Sequence, residues 1–534
     1  MKDHYDYIIV GAGAAGCILA NRLTASGRHS VLLLEAGHEG RSIWISIPAG
    51  FGKLITDPRY NWLFQTEPEA MTRQRKIAVP RGKGLGGSTL INGMIYVRGQ
   101  PADYDRWASL GADGWGWADV APQFRKLECY PKGDGSRGHD GPMHVHEVTE
   151  RYVLSEALLA AAQEAGHALN PDYNGPVQDG FGYYQVLQHR GRRWSVIDGY
   201  LKPARARPNL HVLANAQVLK VDLEGGRCVG VTYRRGPQTH RVRAGTEVIM
   251  AAGAIQTPQI LELSGIGRPD VLQNAGIAVQ HAMPGLGENY IDHYCARMDW
   301  RVKGALSVNQ QRYGWRLALA VAEYFIRHTG ILTLGTGLAG GFVKSRPDLP
   351  SADVQYFFMN ASYANQVARE LERPPGMTLA ISQMRPESRG SIHIRSANPD
   401  EQPAICPNYL ASEADQDSLI GGMQVARQII SQPAMARYVD HEKNPGPDVQ
   451  AREQWLDYVR QVGQTIYHPI GTCRMGTDAA AVVDPRLRMR GLPGLRVADA
   501  SVMPAMISGN IQGAVMMVAE KASEMILEDA REAG

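Results

Sequence analysis

An α/β fold with an α+β part attached is expected for this chain of 534 residues, and three observations predict it. The first is a strand, a glycine-rich turn and a helix at the N-terminus, followed by a second short apolar run, which is how a doubly wound parallel sheet begins. The second is the recurrence of buried-type strands near positions 5, 30, 213 and 248, separated by a long excursion, so that this sheet is discontinuous in sequence. The third is a change of composition from about residue 297, where DVQYFFMN, MTLAISQMRP and SRGSIHIR read as strands of an antiparallel sheet. Helices are expected there near 311–327, 413–431 and 448–463. The expected division is 1–155, 205–296 and 466–534 for one domain, and 156–204 with 297–465 for the other.

The N-terminal unit is the most informative. Tyr5 to Val10 is short and largely apolar, as a buried parallel strand should be. It breaks into Gly11-Ala12-Gly13-Ala14-Ala15-Gly16, then an apolar-periodic helix through Ile18, Leu19 and Leu23. A second run, Val31 to Leu34, ends in Glu35 and Ala36. Gly11 makes the tight turn, Gly13 lets a pyrophosphate approach the backbone, and Gly16 lets helix and strand pack closely. The helix N-terminus offers unpaired N–H groups and a partial positive charge. Glu35 stands at about the ~20-residue separation of an acid that hydrogen-bonds a ribose hydroxyl. These features fit an ADP-containing dinucleotide, either FAD or NAD; an acid at 35 argues against a 2′-phosphate.

Composition excludes several classes. Hydrophobic residues make up 44% and charged residues 20%, which describes a globular protein with a sizeable core. The net charge of +3 is dispersed, so no nucleic-acid surface is expected. The cluster Arg190, Arg192 and Arg193 reads as a solvated loop. Six cysteines, at 17, 129, 228, 295, 406 and 473, form no CxxC pair and read as reduced thiols of a cytoplasmic protein. The first strand starts at Tyr5, so no signal peptide is expected. No apolar run approaches the ~18 residues of a membrane span. The richest, Leu317 to Ile326, contains Glu323 and reads as a packed helix, with a peripheral membrane contact left open.

Further along, residues 36–80 are irregular and aromatic, and include Trp62. The run Pro80-Arg-Gly-Lys-Gly-Leu-Gly-Gly-Ser-Thr-Leu-Ile-Asn92 places glycines at 82, 84, 86 and 87, a backbone running close to something bulky. The dinucleotide's head ring is the expected neighbour, and a helix-compatible LINGMIYVRG follows at 90–99. Residues 211–235 alternate like a hairpin turning at Gly225-Gly226, and 247–253 form another buried strand. A terminal helix is expected within 509–527.

Two histidine patterns carry chemistry. His468 precedes Pro469, which biases it out of helix geometry, so it can project from a loop at a fixed angle. Its titration range makes it eligible as a base; a structural ring is the bland alternative. His144 and His146 alternate on a strand and face one side. No third ligand is in view, so no metal is expected.

Six blocks, in order, resemble the glucose–methanol–choline (GMC) family of FAD-dependent oxidoreductases over essentially the full length. They are GAGAAG with Glu35, RGKGLGGSTLING at 81–93, EVIMAAGAIQTPQILELSGIG at 247–267, GLGENYIDH at 285–293, YHPIGTCRMG at 467–476, and GLRVADASVMP through GNIQGAVMMVAEK at 494–521. The likeness is to the choline-dehydrogenase-like and sorbose-dehydrogenase-like bacterial branch. It implies a Rossmann-type FAD domain and a substrate domain whose antiparallel sheet roofs the flavin. His468 aligns with the family's catalytic histidine and Asn510 with its partner. Asp499 and Ala500 fall where the family meets the pyrophosphate and ring, Val218 where its backbone meets adenine, and Gly86, Gly87 and Asn92 at positions lining the flavin. Gly84, Gly93, Trp62, Ala252, Gly253 and Gln512 complete the expected cofactor contacts. His293, in the IDH block, reads as structural.

The implied reaction is oxidation of a polar primary or secondary alcohol to the carbonyl. His468 takes the hydroxyl proton, the Asn510 amide holds the alkoxide oxygen, and hydride passes to flavin N5. An O2-using alcohol oxidase, and a lyase with structural FAD, are the alternatives. The partner is a small-molecule alcohol; quinone, dye and O2 stay open as electron acceptor. Choline would call for an aromatic cage or a carboxylate, to which Trp62 and Tyr467 could contribute. Two departures from the family stand out. Some members tether FAD through a histidine where this chain has Ile91, so non-covalent FAD is expected. Gln512 also replaces a second asparagine of the choline-type branch.

Overall fold

A computed structural model describes residues 3–365 and 370–533. One sheet carries the N-terminal unit: β1 (His4–Val10), helix α1 (Ala14–Thr24) and β2 (Val31–Leu34). Its strand order is Leu210–Leu213, β2, β1, Gln238–Met250, Arg227–Arg235 and Gln217–Glu224. The strand Gln238–Met250 joins two regimes. Its C-terminal half pairs in parallel with β1 and, on its other side, with Leu495–Val497, while its N-terminal half pairs antiparallel with Arg227–Arg235. β1 and β2 are largely buried and share a core with α1 and the terminal helix Gln512–Ala533, which pack on each other.

The second sheet is antiparallel throughout, in the order Val439–Asn444, Tyr294–Val302, Gly376–Gln383, Val354–Met359, Ala339–Val343 and Gly180–Tyr183. Period-two alternation assigns its faces. Val354, Tyr356 and Phe358, with Met377, Leu379 and Ile381, share a core with helices Glu413–Ile430 and Arg452–Val462. Phe357, Met359 and Ala380 point the other way, into a cavity walled opposite by the glycine turns of the first sheet. The α/β plus α+β architecture is thus present, and the site lies between its two parts.

Several local expectations change. Residues 90–99 are not helical: Met94 adopts φ 65°, and this stretch runs extended along the strand Gln185–His189 through Tyr96 N–H to Gln185 O and Leu187 N–H to Met94 O. Ser391–His393 belongs to a separate ribbon with Ala404–Cys406, not to the large sheet. The helix Gly314–Arg327 is not packed. Only Ala320 and Tyr324 are buried on it, whereas Trp315 is 69% and Ile326 78% exposed. Among the described residues no helix is long and apolar enough to cross a membrane. None of the six cysteines forms a disulfide.

A half-buried ion cluster ties the ribbon Ser391–His393 to the first sheet's helix Gly253–Leu263. His393 Nδ1 lies 2.7 Å from Glu262 of the helix Gly253–Leu263, and its Nε2 lies 3.1 Å from Glu288. Burial alone would lower the ring's pKa and does raise that of Glu262. The hydrogen bonds to both carboxylates outweigh it on the ring and raise His393 to about 9, so the shared proton sits on the imidazole. A raised folded-state pKa stabilises fully below the ordinary 6.5 and is lost as pH rises through about 9. The melting temperature should therefore fall across that window in wild type, and His393→Gln should flatten the fall at a cost of roughly 1–2 kcal/mol near neutral pH. Thermal melts of both proteins against pH check this.

Candidate active site

The glycine turn is built as its spacing requires. Gly11 has φ 98°, and a Cβ there would come 2.6 Å from Ala251 O. A Cβ on Gly16 would come 1.9 Å from Gly11 O, whereas one on Gly13 would meet no protein atom within 4 Å. The open space over Gly13 lies at the N-terminus of α1 and faces the cavity. A second helix N-terminus, at Gly253, faces the same space and also leaves its Cβ direction open. Two helix ends and bare backbone around one cavity suit a pyrophosphate.

The carboxylates at this end are held by backbone amides. Glu35 accepts from Ala12 N–H at 3.0 Å, Gly37 N–H at 2.8 Å and Gly84 N–H at 3.1 Å, tying the two glycine loops together. Burial raises its pKa against those bonds. Asp499 accepts from Gly253 N–H at 2.8 Å and Ser501 N–H at 2.8 Å, and burial raises it too.

Of the residues expected to hold the cofactor, Gly11, Gly13, Ala14, Ala15, Glu35, Ala36, Trp62, Gly87, Asn92, Gly93, Ala252, Gly253, Asp499, Ala500 and Gln512 line this cavity, together with His468 and Asn510. Gly16, Gly84 and Gly86 lie behind it and shape the turns; Gly86, at φ 99°, donates its N–H to Ala12 O at 2.7 Å. Val218 lines an adjoining recess with Ala36 and Trp62. Ile91 is in the wall. Gln512 reaches across to accept a hydrogen bond from Asn92 Nδ2.

The other end of the cavity holds the histidine and asparagine. His468 sits in a loop after Tyr467, a non-glycine residue at φ 74°. That conformation is fixed from both sides: Tyr467 N–H donates to Thr465 Oγ1 at 2.7 Å, and its carbonyl accepts from Arg81. The His468 N–H donates to Asp292 Oδ1 at 2.8 Å, and Asp292 Oδ2 accepts from the hydroxyls of Tyr409, at 2.8 Å, and Thr465.

The ring's tautomer follows from its neighbours. His293 Nε2 lies 3.0 Å from Met384 O, and a carbonyl only accepts, so that nitrogen carries the hydrogen. Burial pushes His293 down to about 4, which keeps it neutral and leaves its Nδ1 an acceptor. His468 Nδ1, 3.0 Å away, must then be the donor. Its Nε2 is left with a lone pair, on the cavity side, 3.3 Å from Asn510 Nδ2. Asn510 Oδ1 accepts from Gln355 Nε2 at 3.1 Å, which turns the amide's donor end toward the histidine. The arrangement is a base and a hydrogen-bond donor converging on one point.

Burial, with His293 and the Arg81 guanidinium nearby, pushes His468 well below its ordinary 6.5. A base works in its neutral form, so activity is lost only on acidification below that value. In a profile of kcat/KM from about pH 5 to 9, the acid limb should lie below 6.5. His293→Phe, which removes the acceptor that fixes the tautomer, should lower turnover about 10–100-fold with the flavin retained.

His293, read as structural from sequence, places its Nδ1 3.0 Å from His468 Nδ1. One residue was misjudged from sequence. Arg193 is buried rather than solvated: its guanidinium donates to Asn92 Oδ1 at 2.7 Å, Asn92 O at 2.8 Å, Thr89 O at 3.1 Å and Ile45 O at 3.0 Å. Burial lowers it to about 9, still a cation at neutral pH. Nothing local in an arginine-rich loop marks the one that turns inward; for His293, its place just before a buried strand was the available signal.

Comparison with known proteins agrees with this geometry. Family models described as GMC oxidoreductase match residues 5–295 and 386–519. The chain belongs to the GMC oxidoreductase family. It is 39% identical over 528 residues to alcohol dehydrogenase [acceptor] of Pseudomonas putida, covering 98% of this chain and 96% of that one. It is 39% identical over 535 residues to mitochondrial choline dehydrogenase of Homo sapiens, covering 98% and 90%. The crystal structure of pyridoxine 4-oxidase from Mesorbium loti superposes with a TM-score of 0.89 at 28% identity, covering 98% of this chain and 99% of the other.

Proposed function

We propose that the protein oxidises an alcohol to its carbonyl with FAD, and that the alcohol is neutral with an apolar body. The observation that carries the first part is the convergence of His468 Nε2 and Asn510 Nδ2 at the end of a dinucleotide-shaped cavity. FAD, when bound, supplies the two-electron acceptor. The chain does the rest. His468 Nε2 accepts the hydroxyl proton, His293 holds the ring's other nitrogen, and Asn510 donates to the oxygen as charge develops on it, worth roughly 2–4 kcal/mol. Non-covalent FAD is part of this reading, because Ile91 offers no atom for a tether. So is the division into a dinucleotide part (1–155, 205–296, 466–534) and a substrate part (156–204, 297–465). Six cysteines without a disulfide among them support a reducing, cytoplasmic setting.

The substrate end of the wall is Phe357, Met359, Ala380 and Ile466, with Arg81 and Arg297 as charged members. The lining carboxylates among the described residues, Glu35 and Asp499, are bound to amides at the dinucleotide end. Two guanidiniums, with the nearby Asp292 occupied by the His468 N–H and the Tyr409 hydroxyl and not in the lining, disfavour a quaternary ammonium. This narrows the polar alcohol expected from sequence to one with an apolar body, and it disfavours choline, the alcohol in the name of the Homo sapiens relative. Steady-state kinetics with a medium-chain or benzylic alcohol and with choline test it. The apolar alcohol should have kcat/KM about 100-fold higher or more, the worth of one unpaired buried charge; a preference for choline would overturn the assignment.

A further inference from the structure

His144 and His146 alternate on the strand Met143–Glu147, and the fold brings His189 from the end of Gln185–His189 to them. One ring nitrogen from each of the three lies within 4.8 Å of the others. The His144 and His189 rings stack at 4.2 Å, and Trp194 meets both edge-on, at 4.8 and 5.3 Å. The cluster stands apart from the active-site cavity, whose lining includes none of these residues.

We propose that His144, His146 and His189 form a binding site for one divalent cation of the zinc type. Three observations support it. Imidazole is the ligand such borderline cations prefer, whereas magnesium and calcium take oxygen. The nitrogens lack other employment: among the described residues none of the three rings makes a hydrogen bond, and His189 Nδ1 is buried without a partner. The rings are half-buried side by side, His144 stacked on His189, so that three imidazoles converge on one small volume. Tetrahedral coordination at about 2.0–2.1 Å would draw the nitrogens to about 3.4 Å apart. Rotation of the side chains achieves this, with water in the fourth position. Arg190 opposes the cation, but it is exposed to solvent.

The location gives the ion a use. His189 and Trp194 flank the short turn of the hairpin Gln185–His189/Arg192–Arg193, and Arg193 on it grips Asn92 and Thr89 in the cavity wall. A cation cross-linking this hairpin to the strand Met143–Glu147 would brace that grip. The role is structural, with no part in electron transfer.

The test is calorimetric titration of chelator-treated, flavin-loaded enzyme with zinc, repeated with magnesium. Wild type should bind one zinc ion that the double variant His144→Gln/His146→Gln binds roughly 100-fold more weakly or worse, since losing two ligands must exceed the ~10–100-fold worth of outer-shell partners. Flavin spectrum and alcohol turnover should be retained, and magnesium should not bind there. Copper should quench wild-type fluorescence more than that of Trp194→Phe, a readout that needs no histidine variant. Absence of zinc binding, unchanged affinity in the double variant, equal binding of magnesium, or equal quenching in both proteins would overturn the proposal.

Discussion

His468→Gln should lower turnover by about 100-fold or more while the protein keeps its flavin. The ring's Nε2 is the cavity-facing lone pair of a neutral imidazole, and no described neighbour can replace it: His293 is occupied on both nitrogens and Asn510 is turned donor-end inward. Glutamine fills similar space and can still accept from Asn510, but an amide does not accept a proton near neutral pH. The loss should therefore fall on kcat more than on KM. The backbone N–H that anchors the loop to Asp292 is untouched, so thermal stability should change little. Rapid-mixing measurement of flavin reduction, with the visible spectrum as a control for bound cofactor, checks both halves.

The second large effect separates two glycines of one turn. Gly16→Ala should abolish recovery of flavin-loaded protein and destabilise the fold by about 3 kcal/mol or more, because the new Cβ would stand 1.9 Å from the Gly11 carbonyl oxygen, and backbone cannot yield as a side chain can. Gly13→Val should behave differently. Gly13 has φ −76°, which any residue adopts, and its Cβ direction is open. That variant should fold and melt near wild type, yet bind FAD at least about 10-fold more weakly, since the branched side chain occupies the space over the helix N-terminus. Refolded yield, melting temperature and FAD titration of the two variants separate these outcomes.

The contrast shows what was legible in sequence. The glycine turn, Glu35 and the strand–helix alternation obey local rules, and a short motif with its flanking periodicity suffices to place them. His468 could be singled out by its proline and by the family blocks around it. Its tautomer could not be read, because that depends on a carbonyl at Met384 and a second histidine at 293, brought together only by the antiparallel sheet. Arg193 is the same lesson: one member of a basic loop is buried because Asn92 and the Thr89 carbonyl await it, a tertiary fact with no local signature. The wall of Phe357, Met359 and Ala380 lies on strands that are buried on both faces, where alternation does not show in the residue types. The helix Gly314–Arg327 misled in the opposite direction, since its apolar residues face outward.

The most direct test of alcohol oxidation at this site is anaerobic addition of an apolar primary alcohol to the purified, FAD-loaded protein while the visible flavin band is followed. The band should bleach at one equivalent of alcohol per flavin, with the aldehyde as product, and His468→Gln should slow that bleaching without changing its end point. A flavin band that stays oxidised with every alcohol offered, or that bleaches as fast in His468→Gln as in wild type, would contradict the account.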